Sequence, residues 1–336
     1  MWETIFIEYG VFFLKIATVL FAILLILVAS SKTRSKKIEG EVTITNLSKK
    51  LLDQQHQFEK EILSSKTFKK LQEERKLEVV AQETDSNPKR LFVVDFEGDT
   101  LAKQVDALRE EITAILTLAN TDDEVLVRLE SPGGSVYGYG LGASQLLRIK
   151  DRQIPLTISV DKVAASGGYM MACVADKIIA APFALVGSIG VVAEIPNIHR
   201  LLKKHEIDVD VMTAGKYKRT LTVMGENTPE GREKFQEELN DVHTLFKDFV
   251  QENRPILDIE QVSTGETWYG TSAKNVHLVD EIATSDDLIL SQIQEKQVLL
   301  VKYEEKKSLV NRIGIQLETS ISNLILSLMN KSGSIQ

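Results

Sequence analysis

Apolar residues are concentrated near the start of the chain. Residues 11–29 are apolar apart from Lys15 and Thr18, and this length approaches the roughly 20 residues that a helix needs to cross a bilayer. Lys15 lies near the beginning of the run, from where its ammonium group can reach the membrane interface. We predict that residues 1–31 form an N-terminal transmembrane anchor and that residues 10–30 contact lipid.

Two other interpretations of this apolar segment stay open. A cleavable signal peptide normally begins with basic residues, but Glu3 and Glu8 are the charged residues that precede Lys15. The small residues expected before a cleavage site are supplied only weakly, by Ala29, Ser30 and Ser31. A buried helix of a soluble domain is the third interpretation.

A charged region follows the apolar segment. From about residue 47 to residue 82 the chain is rich in Lys, Glu and Gln, with a narrow apolar stripe at near-helical spacing: Leu47, Leu51, Phe58, Ile62 and Leu71. This pattern predicts a solvated helix within a helical stalk or linker that covers residues 32–88. The segment could act as a simple spacer or as a self-association element.

Beyond residue 88, short apolar runs alternate with longer stretches of helical spacing. The predicted strands include Leu91–Phe96, Val125–Leu129 and Leu156–Val160, and the predicted helices include Val105–Leu118, Tyr139–Ile149 and Thr228–Asn253. Such alternation is typical of an α/β domain with mostly parallel strands, which we assign to residues 89–300. Residues 301–336 form an amphipathic C-terminal segment, expected to pack on the domain or a neighbouring subunit, or to lie on a membrane.

Composition excludes several functional classes. The net charge of -8 argues against a nucleic-acid-binding protein, which usually carries a basic excess. The single cysteine, Cys173, can form neither an internal disulfide nor a cysteine-based zinc site. The sequence also lacks the Gly-x-x-x-x-Gly-Lys-Ser/Thr loop that binds nucleotide phosphates. We therefore expect no metal, nucleotide or other cofactor.

Two glycine-rich clusters follow predicted strands. The first, Glu130–Val136, contains Gly133 and Gly134, and the second, Ala164–Met170, contains Ser166 followed by Gly167. Paired glycines allow a backbone to approach a ligand closely and to direct N–H groups at an oxyanion. Each cluster also has a simpler interpretation, because Pro-Gly-Gly forms ordinary turns and a serine at a helix start is usually a cap.

A nucleophilic serine needs a base. None of the five histidines, His56, His199, His205, His243 and His277, has a strong catalytic context. A lysine can act as the base when burial lowers its pKa, and a third cluster, Asp210–Thr220, follows a run that predicts a strand. The chemistry alone does not distinguish Lys216 from Lys218.

Five motifs occur in the order found in one known family. They are Glu130–Val136 (ESPGGSV), Ala165–Met170 (ASGGYM), Val186–Val191 (VGSIGV), Thr213–Thr220 (TAGKYKRT) and Gly270–Glu281 (GTSAKNVHLVDE). In these motifs the chain resembles the signal peptide peptidase A family of membrane serine peptidases, peptidase family S49, and most closely its shorter SohB-type inner-membrane branch. The resemblance extends from the anchor to about residue 283.

The resemblance implies a serine-type endopeptidase with a Ser–Lys dyad. Ser166 corresponds to the nucleophile and Lys218 to the general base, which leaves Lys216 as a neighbour. Ser188 corresponds to a residue that hydrogen-bonds the lysine. The oxyanion donors correspond to backbone N–H groups of Gly133 or Gly134, and of Gly167.

The resemblance also implies a fold and an assembly. Family members share the fold of the Clp protease and the crotonases, with repeated ββα units, and they form rings, so we expect a homo-oligomer. Substrates would be short, extended or unfolded polypeptides, and Ile189–Ala193 is a candidate edge for an extended peptide. A crotonase-like acyl-CoA enzyme and a non-catalytic membrane scaffold are the alternative functions.

Two features complicate the resemblance. His277 occupies a position where we expect the family to have glycine. Basic residues follow the anchor, at Lys32, Arg34, Lys36 and Lys37, and the positive-inside rule therefore places the catalytic domain in the cytoplasm. Family members that face the other side of the membrane keep a periplasmic location open. In either case we expect the protein in the bacterial inner membrane.

Overall fold

The computed structural model describes residues 9–19, 21, 40–82 and 89–305. The chain divides into two compact units, one formed by Met1–Glu41 with Glu304–Gln336 and the other by Val42–Tyr303. The first unit contains helix α1 (residues 9–19), on which Phe13 and Leu14 are exposed.

The predicted anchor and the predicted C-terminal segment lie mostly outside the described residues. Within the described ranges, no helix combines the length and the apolar character required to span a bilayer. Residues 301–305, predicted as the start of the amphipathic segment, are instead the end of a strand.

The second unit is built on two sheets. In chain order the strands are β1 (Gly40–Asn46), β2 (Arg90–Glu97), β3 (Glu124–Glu130), β4 (Leu156–Val160), β5 (Val163–Ala165), β6 (Lys177–Ala180), β7 (Leu185–Gly187), β8 (Thr267–Tyr269), β9 (Glu281–Ile282) and β10 (Gln297–Glu305). The larger sheet has the order β1-β10-β2-β3-β4-β6-β9 and the smaller one β5-β7-β8. From β10 to β9 every pairing in the larger sheet is parallel, so the predicted α/β class is confirmed. The arrangement as repeated ββα units stays a prediction.

Helices lie on both faces of the larger sheet. The helices of this unit are α2 (Leu47–Ile62), α3 (Ser65–Gln82), α4 (Val105–Leu118), α5 (Val136–Lys150), α6 (Gly167–Ala172), α7 (His199–Lys204), α8 (Pro229–Asn253), α9 (Ile259–Val262), α10 (Gly270–Asn275) and α11 (Ser285–Gln292). Phe92 and Val94 join the main core with α4, α5 and α6. Leu91 and Val93 point to the other face, where they pack with Ile289 of α11. The central strands are continuous apolar runs because both of their faces are buried.

The charged region before residue 88 differs from its prediction. It is not one solvated helix, because the chain breaks after Ile62 and continues as α3. Leu47 and Leu51 of α2 pack against the smaller core cluster, and β1 joins the sheet beside β10. Part of the apolar stripe is therefore buried against the core, and this region belongs, from Val42, to the same compact unit as the two glycine-rich clusters.

The smaller sheet brings the two glycine-rich clusters together. An isolated parallel bridge pairs Ser131 with Ala164 of β5. Ser131 directly follows β3, so the loop at the end of the larger sheet is tied to the strand that precedes Ser166. The Ser131 N–H donates to the Val163 carbonyl (2.8 Å), and the Ala165 N–H donates to the Ser131 carbonyl (3.0 Å).

His277 shows why glycine is expected at its position. Its φ is +60°, in the left-handed region that glycine adopts at least cost. The backbone is held there by the Arg254 guanidinium, which donates to the His277 carbonyl (2.7 Å). The imidazole itself is exposed, so the departure from glycine concerns backbone conformation.

Glu111 of α4 holds strand β10 from within the core. The side chain is 3% exposed, and its Oε1 accepts a hydrogen bond from the Tyr303 N–H (2.8 Å). Among the described residues, Oε2 has no hydrogen-bond partner. Burial, helped by the Asp95 charge and opposed by the Tyr303 N–H and Lys302, raises the pKa of this carboxyl group to about 7.

This raised pKa predicts a pH-dependent stability. The folded state favours the protonated Glu111 side chain. The stability that this protonated side chain contributes is therefore complete below the ordinary pKa of 4.5. It is lost as the pH rises through the folded value of about 7. We expect Glu111→Gln to exceed the wild type at pH 8 by about 3 kcal/mol in the free energy of unfolding, and to match it near pH 4.

Urea unfolding at the two pH values measures this difference. The neighbouring Glu110 is exposed, so Glu110→Gln provides a matched control that should follow the wild type at both. A constant difference between Glu111→Gln and the wild type would contradict the prediction.

Candidate active site

Ser166 lies at a sharp turn between β5 and α6. Its φ and ψ are +53° and -119°, a combination that residues with a side chain rarely adopt. The turn is held by hydrogen bonds at both ends: the Ser166 N–H donates to the Gly187 carbonyl (2.8 Å), and the Met170 N–H donates to the Ser166 carbonyl (3.0 Å).

The Ser166 side chain does not cap α6. It makes no capping hydrogen bond, and it is half-buried at the surface of the turn. The ordinary role of a serine at a helix start is therefore absent. A hydroxyl held at a strained turn, without a structural bond of its own among the described residues, is free to react.

The first glycine-rich loop passes directly beside this turn. A Cβ placed on Gly133 would lie 2.7 Å from the Ser166 Cβ and 2.8 Å from the Gly167 nitrogen. Gly133 also has a φ of +88°, which favours glycine for a second reason. The loop and the turn can approach this closely only because Gly133 has no side chain.

The backbone hydrogen bonds distinguish the candidate oxyanion donors. The Gly133 N–H already donates to the Ser131 Oγ (3.0 Å). Within the described ranges, the N–H groups of Gly134 and Gly167 have no such partner. Of the two alternatives left by the sequence, this favours Gly134 together with Gly167. Gly134 has no room for a side chain either, because a Cβ there would collide with the Thr100 carbonyl group.

Ser188 follows Gly187, whose carbonyl accepts the Ser166 N–H. Its own φ is +52°, and its N–H donates to the Glu266 carbonyl (2.6 Å). Ser188 is thus held close to the Ser166 turn by backbone bonds. A hydrogen bond from its hydroxyl to Lys218 does not occur among the described residues.

Lys218 lies between α7 and α8, where residues 205–228 form neither helix nor strand. The strand predicted before Asp210 is therefore wrong: its alternating side chains find no partner strand among the described residues, and Ile207 is exposed. Lys218 is itself exposed. In the part of the chain that the structure describes, its ammonium group makes no hydrogen bond or ion pair, so a single copy does not join it to Ser166.

Lys216, the alternative base, has a different environment. Its Nζ lies 2.8 Å from the Glu230 Oε1 and 5.0 Å from the centre of the Tyr217 ring. The hydrogen bond to Glu230 and the contact with Tyr217 raise the pKa of Lys216. These contacts of the exposed Lys216 favour its charged form, and an ammonium group cannot accept a proton.

The histidines contribute no base to this turn. His199 begins α7, His243 lies within α8, and His56 hydrogen-bonds Gln72. Throughout the described ranges, no histidine hydrogen-bonds Ser166.

The motifs and the geometry agree with the comparisons to known proteins. Residues 148–299 match peptidase family S49, and residues 4–146 match the N-terminal region of the same family. The chain belongs to peptidase family S49. It is 52% identical to the "Probable protease SohB" of Haemophilus influenzae, over 97% of this chain and 96% of that protein.

A further relative supports this membership. The "Probable protease SohB" of Buchnera aphidicola from Schlechtendalia chinensis is 49% identical, over 85% of this S49 chain and 99% of that protein. Among solved structures, a ClpP1 mutant from Listeria monocytogenes matches with a TM-score of 0.40 and 15% identity, covering 58% of this chain and 92% of that one. The predicted recognition as a SohB-type S49 peptidase is confirmed.

The sequence did not single out two residues that touch the site. Ser131 binds the Gly133 N–H, and Tyr139 packs beneath Gly167. Ser131 was visible within the first motif, two residues before its glycines. Tyr139 was predicted only as the start of a helix, because nothing in the spacing shows that its ring reaches another turn.

The strain at Ser166 leads to a test that needs no substrate. Ser166→Gly should relieve the positive φ, so we expect it to exceed Ser166→Ala by about 1 kcal/mol in the free energy of unfolding. Both variants lose the hydroxyl, so the comparison isolates backbone conformation. Urea unfolding of the two proteins measures the difference, and an alanine variant at least as stable as the glycine variant would contradict the strained turn.

Proposed function

We propose that this S49 peptidase is a membrane-anchored serine endopeptidase that hydrolyses short, extended or unfolded polypeptides with Ser166 and Lys218, without ATP or metal. The observation that supports this most directly is the strained Ser166 turn beside two unpaired N–H groups, those of Gly134 and Gly167. A nucleophile and two hydrogen-bond donors on neighbouring loops are elements that acyl transfer requires.

The proposed chemistry uses only groups of the chain. Neutral Lys218 takes the proton from the Ser166 hydroxyl as its oxygen attacks the peptide carbonyl carbon. The N–H groups of Gly134 and Gly167 stabilise the oxyanion of the tetrahedral intermediate. The ammonium of Lys218 then protonates the leaving amine, and water, activated by the same lysine, hydrolyses the acyl-enzyme.

Lys218 must lose its contact with water to act as a base, because desolvation is what favours its neutral form. It is exposed in one copy of the chain, in a segment whose apolar side chains Ile207, Val211 and Met212 are also exposed. We propose that a homo-oligomer covers this segment and thereby supplies a desolvated lysine at Ser166. Ser188 would then hydrogen-bond the lysine.

The proposed substrate is an extended chain. Ile189–Ala193 follows β7 without forming a strand of its own, so its backbone could pair with a peptide by strand addition. Val192 is exposed there. A folded substrate could not offer an extended strand for this pairing, which supports short or unfolded polypeptides as the substrates.

Matched lysine variants test the dyad. We expect Ser166→Ala to abolish hydrolysis of an unfolded protein and labelling by a fluorophosphonate probe. Lys218→Ala should lower kcat by about 100-fold or more, whereas Lys216→Ala should change it little. The wild-type rate should rise with pH as the base loses its proton.

The outcomes separate the alternatives. A folded wild-type protein that neither hydrolyses protein nor reacts with the probe would favour a non-catalytic scaffold, and turnover of an acyl-CoA without Ser166 would favour a crotonase-like enzyme. Equal losses in the two lysine variants would contradict the assignment of Lys218.

We propose that residues 1–31 anchor the protein in the bacterial inner membrane with the catalytic domain in the cytoplasm. The basic cluster Lys32, Arg34, Lys36 and Lys37 supports this orientation. A reporter active only in the cytoplasm, fused after Gln336, should give a signal, and one active only in the periplasm should not. Replacing the four basic residues with glutamine should weaken that bias. A signal from the periplasmic reporter alone would contradict the cytoplasmic location.

A further inference from the structure

A buried hydrogen-bonded chain lies beneath the two candidate oxyanion donors. Tyr139 of α5 is fully buried, and its hydroxyl lies 2.5 Å from the Ser131 Oγ and donates to the Asp99 carbonyl (2.8 Å). The Ser131 Oγ in turn accepts the Gly133 N–H (3.0 Å). Four groups from three separate segments are thus linked in series.

The direction of this chain follows from counting protons. A tyrosine hydroxyl has one proton, and that of Tyr139 goes to the Asp99 carbonyl. Ser131 must then donate its own proton to the Tyr139 oxygen, and a lone pair of the Ser131 oxygen accepts the Gly133 N–H. The Tyr139 hydroxyl thus fixes the rotation of the Ser131 hydroxyl, whose oxygen in turn holds the Gly133 N–H.

The chain fixes the orientation of the first donor. Because Ser131 binds the Gly133 N–H, the Gly133 peptide cannot turn its own N–H towards Ser166. The next N–H along the loop is that of Gly134, which is unpaired within the described ranges. A rotation of this loop that turned the Gly133 N–H towards Ser166 would break the hydrogen bond between this N–H and Ser131.

The ring of the same tyrosine supports the second donor. A Cβ on Gly167 would lie 2.6 Å from the Tyr139 Cδ2, so the first turn of α6 rests directly on the ring. The hydroxyl end reaches the Gly133 loop through Ser131. One side chain therefore contacts both backbone segments between which an oxyanion would lie.

The backbone at Gly98 packs tightly against the hydroxyl groups of Ser131 and Tyr139. A Cβ on Gly98 would lie 2.6 Å from the Ser131 Oγ and would also collide with the Tyr139 hydroxyl. Burial raises the pKa of that hydroxyl, so it keeps its proton and continues to donate at alkaline pH. The linked groups thus form a rigid buried support.

We propose that Tyr139, acting through Ser131, is a positioning residue that sets the spacing and orientation of the Gly134 and Gly167 N–H groups. This inference rests on the proposed function of these two groups as the oxyanion hole. Tyr139 touches no reacting atom, and its effect is on the geometry of the donors. Small displacements of such donors lower the reaction rate strongly, because the donors stabilise charge that develops only in the transition state.

Tyr139→Phe removes only the hydroxyl and keeps the ring beneath Gly167. We expect kcat on an unfolded protein to fall about 10- to 100-fold with KM nearly unchanged, because the oxyanion forms only after binding. Ser131→Ala should give a similar loss. The double variant should be little worse than either single one, because both changes break the same series of bonds.

Tyr169→Phe is the matched control. Tyr169 is also fully buried, and its hydroxyl donates to the Leu278 carbonyl (2.9 Å), so the substitution removes an equivalent buried bond away from the Gly133 loop. We expect it to lose stability like Tyr139→Phe but to keep the wild-type kcat. An equal fall in kcat in Tyr139→Phe and Tyr169→Phe would mean that Tyr139 has only a structural role, which would overturn the proposal.

A second measurement separates donor geometry from damage to the Ser166 turn. In a Ser166→Cys background, alkylation by iodoacetamide requires an accessible thiolate but no oxyanion hole. The natural Cys173 is buried, and burial raises its pKa to about 12, so it should not react. Alkylation of Cys at position 166 should be unchanged by Tyr139→Phe, while labelling of Ser166 by a fluorophosphonate should slow.

Different results would contradict the proposed function and the role of Tyr139. A wild-type protein that is not labelled at Ser166 and does not hydrolyse protein would overturn the proposed function, and the role of Tyr139 with it. An active wild type with an unimpaired Tyr139→Phe variant would overturn only the role of Tyr139. Slower alkylation and slower phosphonylation together would mean that the substitution disturbs the Ser166 turn, which also contradicts the proposal.

Discussion

Two turns of the backbone approach each other so closely that neither has room for another carbon atom. The Gly133 loop lies against Ser166, and the first turn of α6 lies against the Tyr139 ring. This contact depends on the bridge between Ser131 and Ala164, which joins the large sheet to the small one. The strands carry the two turns to the same place, and the absence of side chains on the glycines allows them to meet.

The sequence predicts the sheet well because the central strands are buried on both faces. Strands such as Leu156–Val160 appear as uninterrupted apolar runs, and the observed β4 has the same bounds. The prediction fails where a short apolar stripe is mixed with charges. Leu47 and Leu51 pack on the core, but their surroundings resemble those of a solvated helix, and the contact that buries them is made with strands far along the chain.

The candidate site is predictable in its residue types but not in its bonds. The spacing of the motif cannot show that the Gly133 N–H is already used, because the acceptor is a side chain two residues earlier. It also cannot show that Lys216 is paired with Glu230, which lies at the start of α8. In both cases the decisive partner is a matter of tertiary structure.

The place of β1 in the sheet has a consequence for how the protein is made. β1 pairs with β10, and the Thr43 hydroxyl bonds the Lys302 carbonyl across a sequence separation of 259 residues. At a synthesis rate of about 5–20 residues per second, the first strand leaves the ribosome roughly 10 to 50 seconds before its partner exists. Strands β2, β3 and β4 can pair meanwhile, but the apolar side of α2 and the open edge of β2 stay uncovered. Such surfaces are binding sites for chaperones, so this domain should depend on them most during the interval between its first and last strands.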